Sequence, residues 1–326
     1  MSHAKKHNTI LIKKFIDFLR ASNDSDHTIV AYSSDLRQYC KINNNQDMLS
    51  NIDEQVANYI NQIHNNVAKT KFMFSSIARK IVSLRSFYRF MFDEKLIDAM
   101  PMQQIKTPKL KSPTPKMFLK SEIDMMLDKC MKNFKNEETG IEWLALHAMI
   151  EFLYSTGCRI SEALSIKLGM IFNNRHEIHD EIIICGKRKE ERLIFLNQSC
   201  QKAILNFLYQ KYQTTNISYI KRHDDFLFSV DTFSDEVMSR QKVYYLMRKV
   251  ATQCGIDKKR VSPHVIRHSI AIHMLMNKKN NSPNNLMLIK KFLGHKNIDT
   301  TKIYLEYDKI NDLTKTINTK HPLALL

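Results

Sequence analysis

Between Pro101 and Pro115 the chain carries Pro101, Pro108, Pro113 and Pro115, and from Lys106 to Lys120 it holds Lys106, Lys109, Lys111, Lys116 and Lys120 with no acidic residue. Proline fixes φ and removes a helical donor, so no helix runs through this stretch and an extended path is expected. A chain of 326 residues has room for about two domains. The segment therefore sets the expected division: a helical domain over 1–105, a basic Pro-rich linker over 106–118, and a second domain from 119 onward. The strap could run along a phosphate backbone or serve as an ordinary soluble connection.

A hydrophobic fraction of 43% with 9% aromatics supplies real cores and excludes a disordered chain. Lys+Arg 50 against Asp+Glu 33 leaves a formal net charge of +17. That excess points to an anionic partner, nucleic acid or an acidic membrane surface, although a solvated basic surface also accommodates it. No uncharged apolar run is long enough to span a bilayer, and Met-Ser-His-Ala-Lys-Lys-His at the N-terminus lacks the apolar core of a secretory signal. Six cysteines without a Cys-x-x-Cys pair read as reduced thiols rather than a disulfide frame or a zinc site. Six glycines in all exclude a glycine-rich phosphate cradle. The expectation is a cytoplasmic protein with no bound metal and no cofactor.

Helical spacing dominates the first part. Ile10, Leu11, Phe15, Phe18 and Leu19 form one stripe; Ile29, Tyr32, Leu36 and Tyr39 form a second, with Thr28 as its expected cap. Val56, Tyr59, Ile60 and Ile63 suggest a third helix. From Ser75 to Phe92 an apolar stripe of Ile77, Ile81, Leu84, Tyr88 and Met91 is flanked by Arg79, Lys80, Arg85 and Arg89, expected on a solvated or DNA-facing side. The second part is mostly helical, with helices expected near 201–212, 240–254, 264–276 and 285–293. Its one interruption is a β-branched run over Glu181–Cys185, a polar turn, and an apolar run over Arg192–Leu196, which reads as a β-hairpin. Asn-rich spots at 43–45 and 280–285 read as loops.

Four separated segments place polar groups unusually. In Thr156-Gly157-Cys158-Arg159-Ile160-Ser161-Glu162, Gly157 permits a tight junction, and Glu162 lies three residues from Arg159, close enough to hold its guanidinium. A surface ion pair explains that segment equally well. Gly186-Lys187-Arg188-Lys189-Glu190-Glu191-Arg192 is a hairpin turn whose lysines reach outward, or simply a solvated turn. Ser262-Pro263-His264-Val265-Ile266-Arg267-His268 starts a helix at proline and sends His264 and Arg267 from one face, while His268 and His273 turn elsewhere. In Leu293-Gly294-His295, Gly294 ends a helix, and Thr300 or Thr301 caps another bearing Tyr304, which could also be a core aromatic.

In this order the four segments resemble the tyrosine recombinase (phage integrase-like) family, near its Xer and simple-integrase branch. The family pattern is T-G-x-R-x-S-E, G-K-x-x-K-E-R on a hairpin, H-x-x-R-H, and L-G-H followed by tyrosine after eight intervening residues. The matching positions are Arg159, Lys187, His264 with Arg267, His295 and Tyr304, and Leu84-Arg85-Ser86-Phe87-Tyr88 looks like part of the family's core-binding domain. Two departures stand out. Arg188 follows Lys187 where the family usually has glycine, which makes Lys189 a rival reactive lysine, and Asn277 to Asn285 is a longer connection than usual.

The resemblance implies a mainly α fold: a SAM-like helical core-binding domain, then a mostly helical catalytic domain over 119–307 with a small β-hairpin or sheet. A tail over 308–326 would contact a neighbouring protomer. It also implies site-specific cutting and rejoining of duplex DNA through a 3′-phosphotyrosine, without ATP or metal. Tyr304 is then the nucleophile, Arg159 and Arg267 the phosphate-binding pair, Lys187 the general acid, and His264 and His295 the assisting imidazoles, with Glu162 in support. Arg79, Arg85, Lys106, Lys109, Lys111 and Lys189 are the expected DNA contacts. The expected partners are a double-stranded recombination site and a homo-tetramer on synapsed DNA, with or without a second recombinase or accessory proteins, and no membrane. With helical pattern beginning near Ile10, no arm-binding domain is expected ahead of the core-binding helices. The role would be chromosome or plasmid resolution, or movement of a mobile element. A type IB topoisomerase-like nicking-closing enzyme, a catalytically impaired DNA-binding relative and a nucleoid protein are the competing readings.

Overall fold

The computed structural model describes residues 3–70, 74–103, 105, 116–136, 140–186, 191–221, 225–230, 237–276 and 283–294. The chain divides into two compact units, Met1–Ser112 and Pro113–Leu326.

Among the described residues the first unit is four helices: α1 (His3–Ala21), α2 (Asp26–Ile42), α3 (Ile52–Thr70) and α4 (Phe74–Asp93). Their apolar stripes meet in one core. Leu11, Phe15 and Leu19 of α1, Leu36 and Tyr39 of α2, Val56 and Tyr59 of α3, and Ile77, Ile81, Leu84 and Tyr88 of α4 are all buried. The two buried phenols satisfy each other, Tyr39 Oη lying 2.8 Å from Tyr88 Oη, and Tyr88 also donates to the Met48 carbonyl at 2.9 Å. The turn after α2 takes left-handed backbone at Asn44 and Asn45, where asparagine is tolerated.

Two local expectations are corrected. The cap of α2 is Ser25, whose Oγ accepts from the Thr28 N–H, so the helix begins before Thr28. Lys80 is not on a solvated face: it is 8% exposed, and its ammonium reaches Asp35 Oδ1 at 3.2 Å and the Gln38 side chain. A lone buried ammonium would be costly, and the carboxylate of Asp35 compensates it.

The second unit is built around α6 (Gly140–Thr156), which is apolar over most of its surface and so becomes the central helix. Against it pack α5 (Lys120–Asn136), α8 (Gln198–Tyr212), α10 (Arg240–Gln253) and α11 (Pro263–Met276). The short α7 (Ile160–Ala163) follows α6, α9 (Ile217–Lys221) follows α8, and α12 (Pro283–Leu293) packs on α11 through Ile272, Leu275, Ile289 and Leu293. The hairpin is present as β1 (Glu181–Cys185) and β2 (Glu191–Phe195), antiparallel, with Ile183 opposite Leu193 and Ile184 opposite Arg192. Ile182, Ile184 and Ile194 face inward and are buried, while Ile183, Leu193 and Phe195 face out.

Candidate active site

The end of α6 determines where Arg159 stands. Gly157 takes φ +58° and its N–H returns to the Leu153 carbonyl at 3.0 Å, a left-handed helix stop. Only glycine fits there, because an added Cβ would lie 2.7 Å from Phe292 Cε1 and 2.9 Å from Leu293 Cδ2. The chain then extends through Arg159 and re-enters a helix at Ile160. Glu162 binds back to that junction. Its Oε2 accepts from the Arg159 backbone N–H at 2.8 Å, and its Oε1 accepts from Arg159 Nη1 at 2.8 Å. The expected Arg159–Glu162 pairing is therefore present, with Glu162 buried and Arg159 38% exposed at its side chain.

Glu162 has a further partner that the sequence did not suggest: Arg192 Nη2 donates to its Oε2 at 2.6 Å. Burial alone would raise the Glu162 pKa, but the Arg159 N–H and the Arg192 charge outweigh it and hold the carboxyl below its usual range. The signal for Arg192 was available. Along Arg192-Leu193-Ile194-Phe195-Leu196, period-2 alternation puts Arg192 in phase with the buried Ile194 and Leu196, on the inward face.

Arg267 comes from the second turn of α11 and is 4% exposed. Its Nη1 donates to the Gly157 carbonyl at 2.5 Å and its Nη2 to the Leu293 carbonyl at 2.5 Å. One guanidinium thus ties α11 to the loop presenting Arg159 and to the last turn of α12. His264, one turn earlier on α11, is more open to solvent. Its pKa is lowered first by partial loss of hydration, then by the charges of Arg267 and Arg159. At neutral pH the imidazole is neutral and can accept a proton. His268 is half-buried and pushed down to about 4, by burial and then by His264 and Arg267. His273 shares a 2.8 Å hydrogen bond with the Tyr154 hydroxyl. Cys158, between Gly157 and Arg159, is buried with its thiol pushed up to about 12, which makes it a packing residue.

The structure therefore brings Arg159, Glu162, His264 and Arg267 together. Lys187, Lys189, His295 and Tyr304 lie outside the described residues, as do Lys106, Lys109, Lys111 and the tail over 308–326. In the first unit, Arg79 pairs with Asp35 while remaining 42% exposed at its side chain, and Arg85 donates to the Ile105 carbonyl at 2.5 Å. Among the described residues no helix is long and apolar enough to cross a membrane.

Residues 118–310 match the Phage integrase family, and residues 12–95 match the Phage integrase N-terminal SAM-like domain. A tyrosine recombinase of Pseudothermotoga lettingae is 30% identical over 312 residues, spanning 93% of this chain and 98% of the relative. Tyrosine recombinase XerD of Rickettsia bellii is 28% identical over 318 residues, spanning 96% of this chain and 98% of the relative. Among solved structures, the XerH site-specific recombinase in its post-cleavage complex with palindromic difH substrate superposes with a TM-score of 0.68 at 15% identity, covering 98% of this chain and 97% of that one. A lambda integrase tetramer bound to a Holliday junction gives a TM-score of 0.63 at 13% identity, covering 91% of this chain and 76% of that one. At those identities the structural likeness speaks to the fold.

Proposed function

The chain belongs to the phage integrase family and is a tyrosine recombinase that exchanges DNA strands at specific sites; from that premise we propose that Tyr304, Arg159, Arg267, Lys187, His264 and His295 carry out the exchange. The observation that supports this reading is the convergence of Arg267 on the Gly157 carbonyl beside Arg159, with His264 in the field of both arginines; Lys187, His295 and Tyr304 join them by their place in the family's motifs. Groups more than 100 residues apart in sequence, and of the types a phosphoryl transfer needs, share one locality.

The Tyr304 oxygen attacks the scissile phosphorus in line. The P–O5′ bond breaks as the phosphotyrosyl ester forms, and the phenolic proton passes to neutral His264. Phenols ionise near pH 10, so the surrounding cations are what make the oxyanion accessible. Arg159 and Arg267 face the non-bridging oxygens and neutralise charge that grows in the transition state, and loss of such a donor costs on the order of 3 kcal/mol. Lys187 gives its proton to the departing 5′ oxygen, and His295 supports the phosphate. A 5′-hydroxyl from another strand then attacks the phosphotyrosine, restoring Tyr304 and joining new partners. One phosphoester replaces another at each step, so the exchange draws on no nucleotide hydrolysis.

DNA is the substrate, and the working assembly is a homo-tetramer on two synapsed sites, with the 308–326 tail docked on a neighbour. Phosphate contacts from the basic 106–120 strap and from Arg79 and Arg85 supply most of the affinity, with a log–log salt slope of about −0.9 per phosphate neutralised. The test is a nicked suicide duplex carrying the site that the wild-type chain selects from a randomised DNA pool. Wild type gives a covalent protein–DNA adduct in EDTA without ATP, and Tyr304→Phe binds equally but gives none. An adduct that needs ATP or a divalent cation, or that survives in Tyr304→Phe, contradicts the assignment.

A further inference from the structure

Arg192 occupies an inward position of β2 that alternation reserves for an apolar side chain. Its guanidinium is forked between two separate elements. Nη2 donates to Glu162 Oε2 at 2.6 Å, and Nη1 donates to the Phe292 carbonyl in the last turn of α12 at 2.9 Å. Its alkyl stem lies against Gly294, where an added Cβ would come within 2.8 Å of Arg192 Cδ and where φ is +64°. The next carbonyl, Leu293, is held by Arg267. Two guanidiniums thus grip consecutive carbonyls of the last turn of α12, the end of a helix where the backbone dipole favours cations.

Resting on the recombinase reading, we propose that Arg192 is a positioning residue for strand cleavage: it locks the hairpin, the Glu162–Arg159 pair and the end of α12 into one frame. Through Glu162 it fixes the guanidinium of Arg159; through Phe292 and Gly294 it fixes the point from which the chain continues toward His295 and Tyr304. Arginine suits this task because its planar fork presents parallel donors to two acceptors at once, whereas an ammonium is a single point of charge. A misplacement of about 1 Å in a reacting group can cost on the order of 100-fold in rate, so removing the fork slows cleavage by roughly 10- to 100-fold without changing what the protein binds.

The experiment uses the full chain and the suicide duplex described above, measuring single-turnover adduct formation, DNA affinity and melting temperature. Arg192→Ala and Arg192→Lys are compared with wild type. Lysine keeps the charge beside Glu162, so it restores the melting temperature more than it restores cleavage; should the alanine variant fail to fold, the lysine variant decides. Arg159→Lys, which retains a cation and so a measurable rate, is then combined with each. Slow cleavage at unchanged affinity, with the double variant slowed by less than the product of the two single effects, is the expected result, since both changes strike the placement of Arg159 while Arg192 alone also holds the end of α12. Wild-type rates in Arg192→Lys and Arg192→Ala overturn the proposal, as do defects that multiply in the double variant. If wild type gives no adduct, the recombinase reading itself fails and Arg192 falls with it.

Discussion

Removing the Glu162 carboxylate is the sharpest structural perturbation available. It accepts from Arg192 Nη2 at 2.6 Å, from the Arg159 N–H at 2.8 Å and from Arg159 Nη1 at 2.8 Å, while itself only 5% exposed. The Arg192 bond joins charged groups 15% and 5% exposed, and hydrogen bonds to charged groups contribute about 1.5–3 kcal/mol. Loss of the backbone cap costs about 1 kcal/mol. The Arg159 side chain is 38% exposed, so solvent screening limits its pairing to about 0–1 kcal/mol. Glu162→Ala should therefore destabilise the second unit by about 3–5 kcal/mol. Glu162→Gln keeps the shape but turns an amide N–H toward one of the arginine donors, and should cost about 2–3 kcal/mol. Trp143 is the only tryptophan and lies 1% exposed in the core around α6. Its fluorescence during urea unfolding of the full chain therefore reports on this unit and not on the helices of residues 1–112. A shift below about 1 kcal/mol for Glu162→Ala would mean that water already shares these charges, and the reasoning from burial would be wrong.

Further outcomes follow from the same geometry. Gly157→Ala combines a left-handed backbone with contacts to Phe292 and Leu293, and should cost about 2–4 kcal/mol by the same fluorescence measurement. His268 is held at about 4 when folded against an ordinary 6.5, so the unfolded chain binds more protons between those values and stability falls as pH drops through that window. His268→Gln should remove about 1–3 kcal/mol of the stability difference between pH 7 and pH 4.5, leaving the shares of His147, His264 and His273, whose pKa values are also lowered. On DNA with a sulfur at the 5′-bridging position the leaving group needs no proton. Lys187→Ala should cleave ordinary DNA about 100- to 10,000-fold slower yet recover on the sulfur substrate. Recovery confined to Lys189→Ala would transfer the role of acid to Lys189.

Local features were legible in the sequence because they depend on local rules. The stripe from Ile77 to Met91 and the hairpin around Gly186 sit where 3.6- and 2-residue periods put them. The i,i+3 spacing of Arg159 and Glu162 also survives in the structure. What escaped involved distant partners. Lys80 looked solvated because its counter-charge, Asp35, lies on another helix. Arg192 looked like the end of a charged turn because its acceptors are 30 residues behind and 100 residues ahead. Neither periodicity nor composition encodes which carbonyl a guanidinium will meet. Thr28 and Ser25 carry the same capping chemistry three residues apart, and residue type alone does not tell which of the two starts the helix.

The nucleophile is the point on which every assigned role depends, and it can be identified chemically. Digestion of the trapped adduct with trypsin leaves the DNA 3′ end on one peptide, and cleavage after Lys302 and Lys309 places Tyr304 and Tyr307 together on the segment Ile303 to Lys309. Fragmentation of that peptide by mass spectrometry should locate the phosphodiester on the Tyr304 oxygen. A linkage on Tyr307, or on any residue outside this peptide, would contradict the assembly of the site around Arg159 and Arg267.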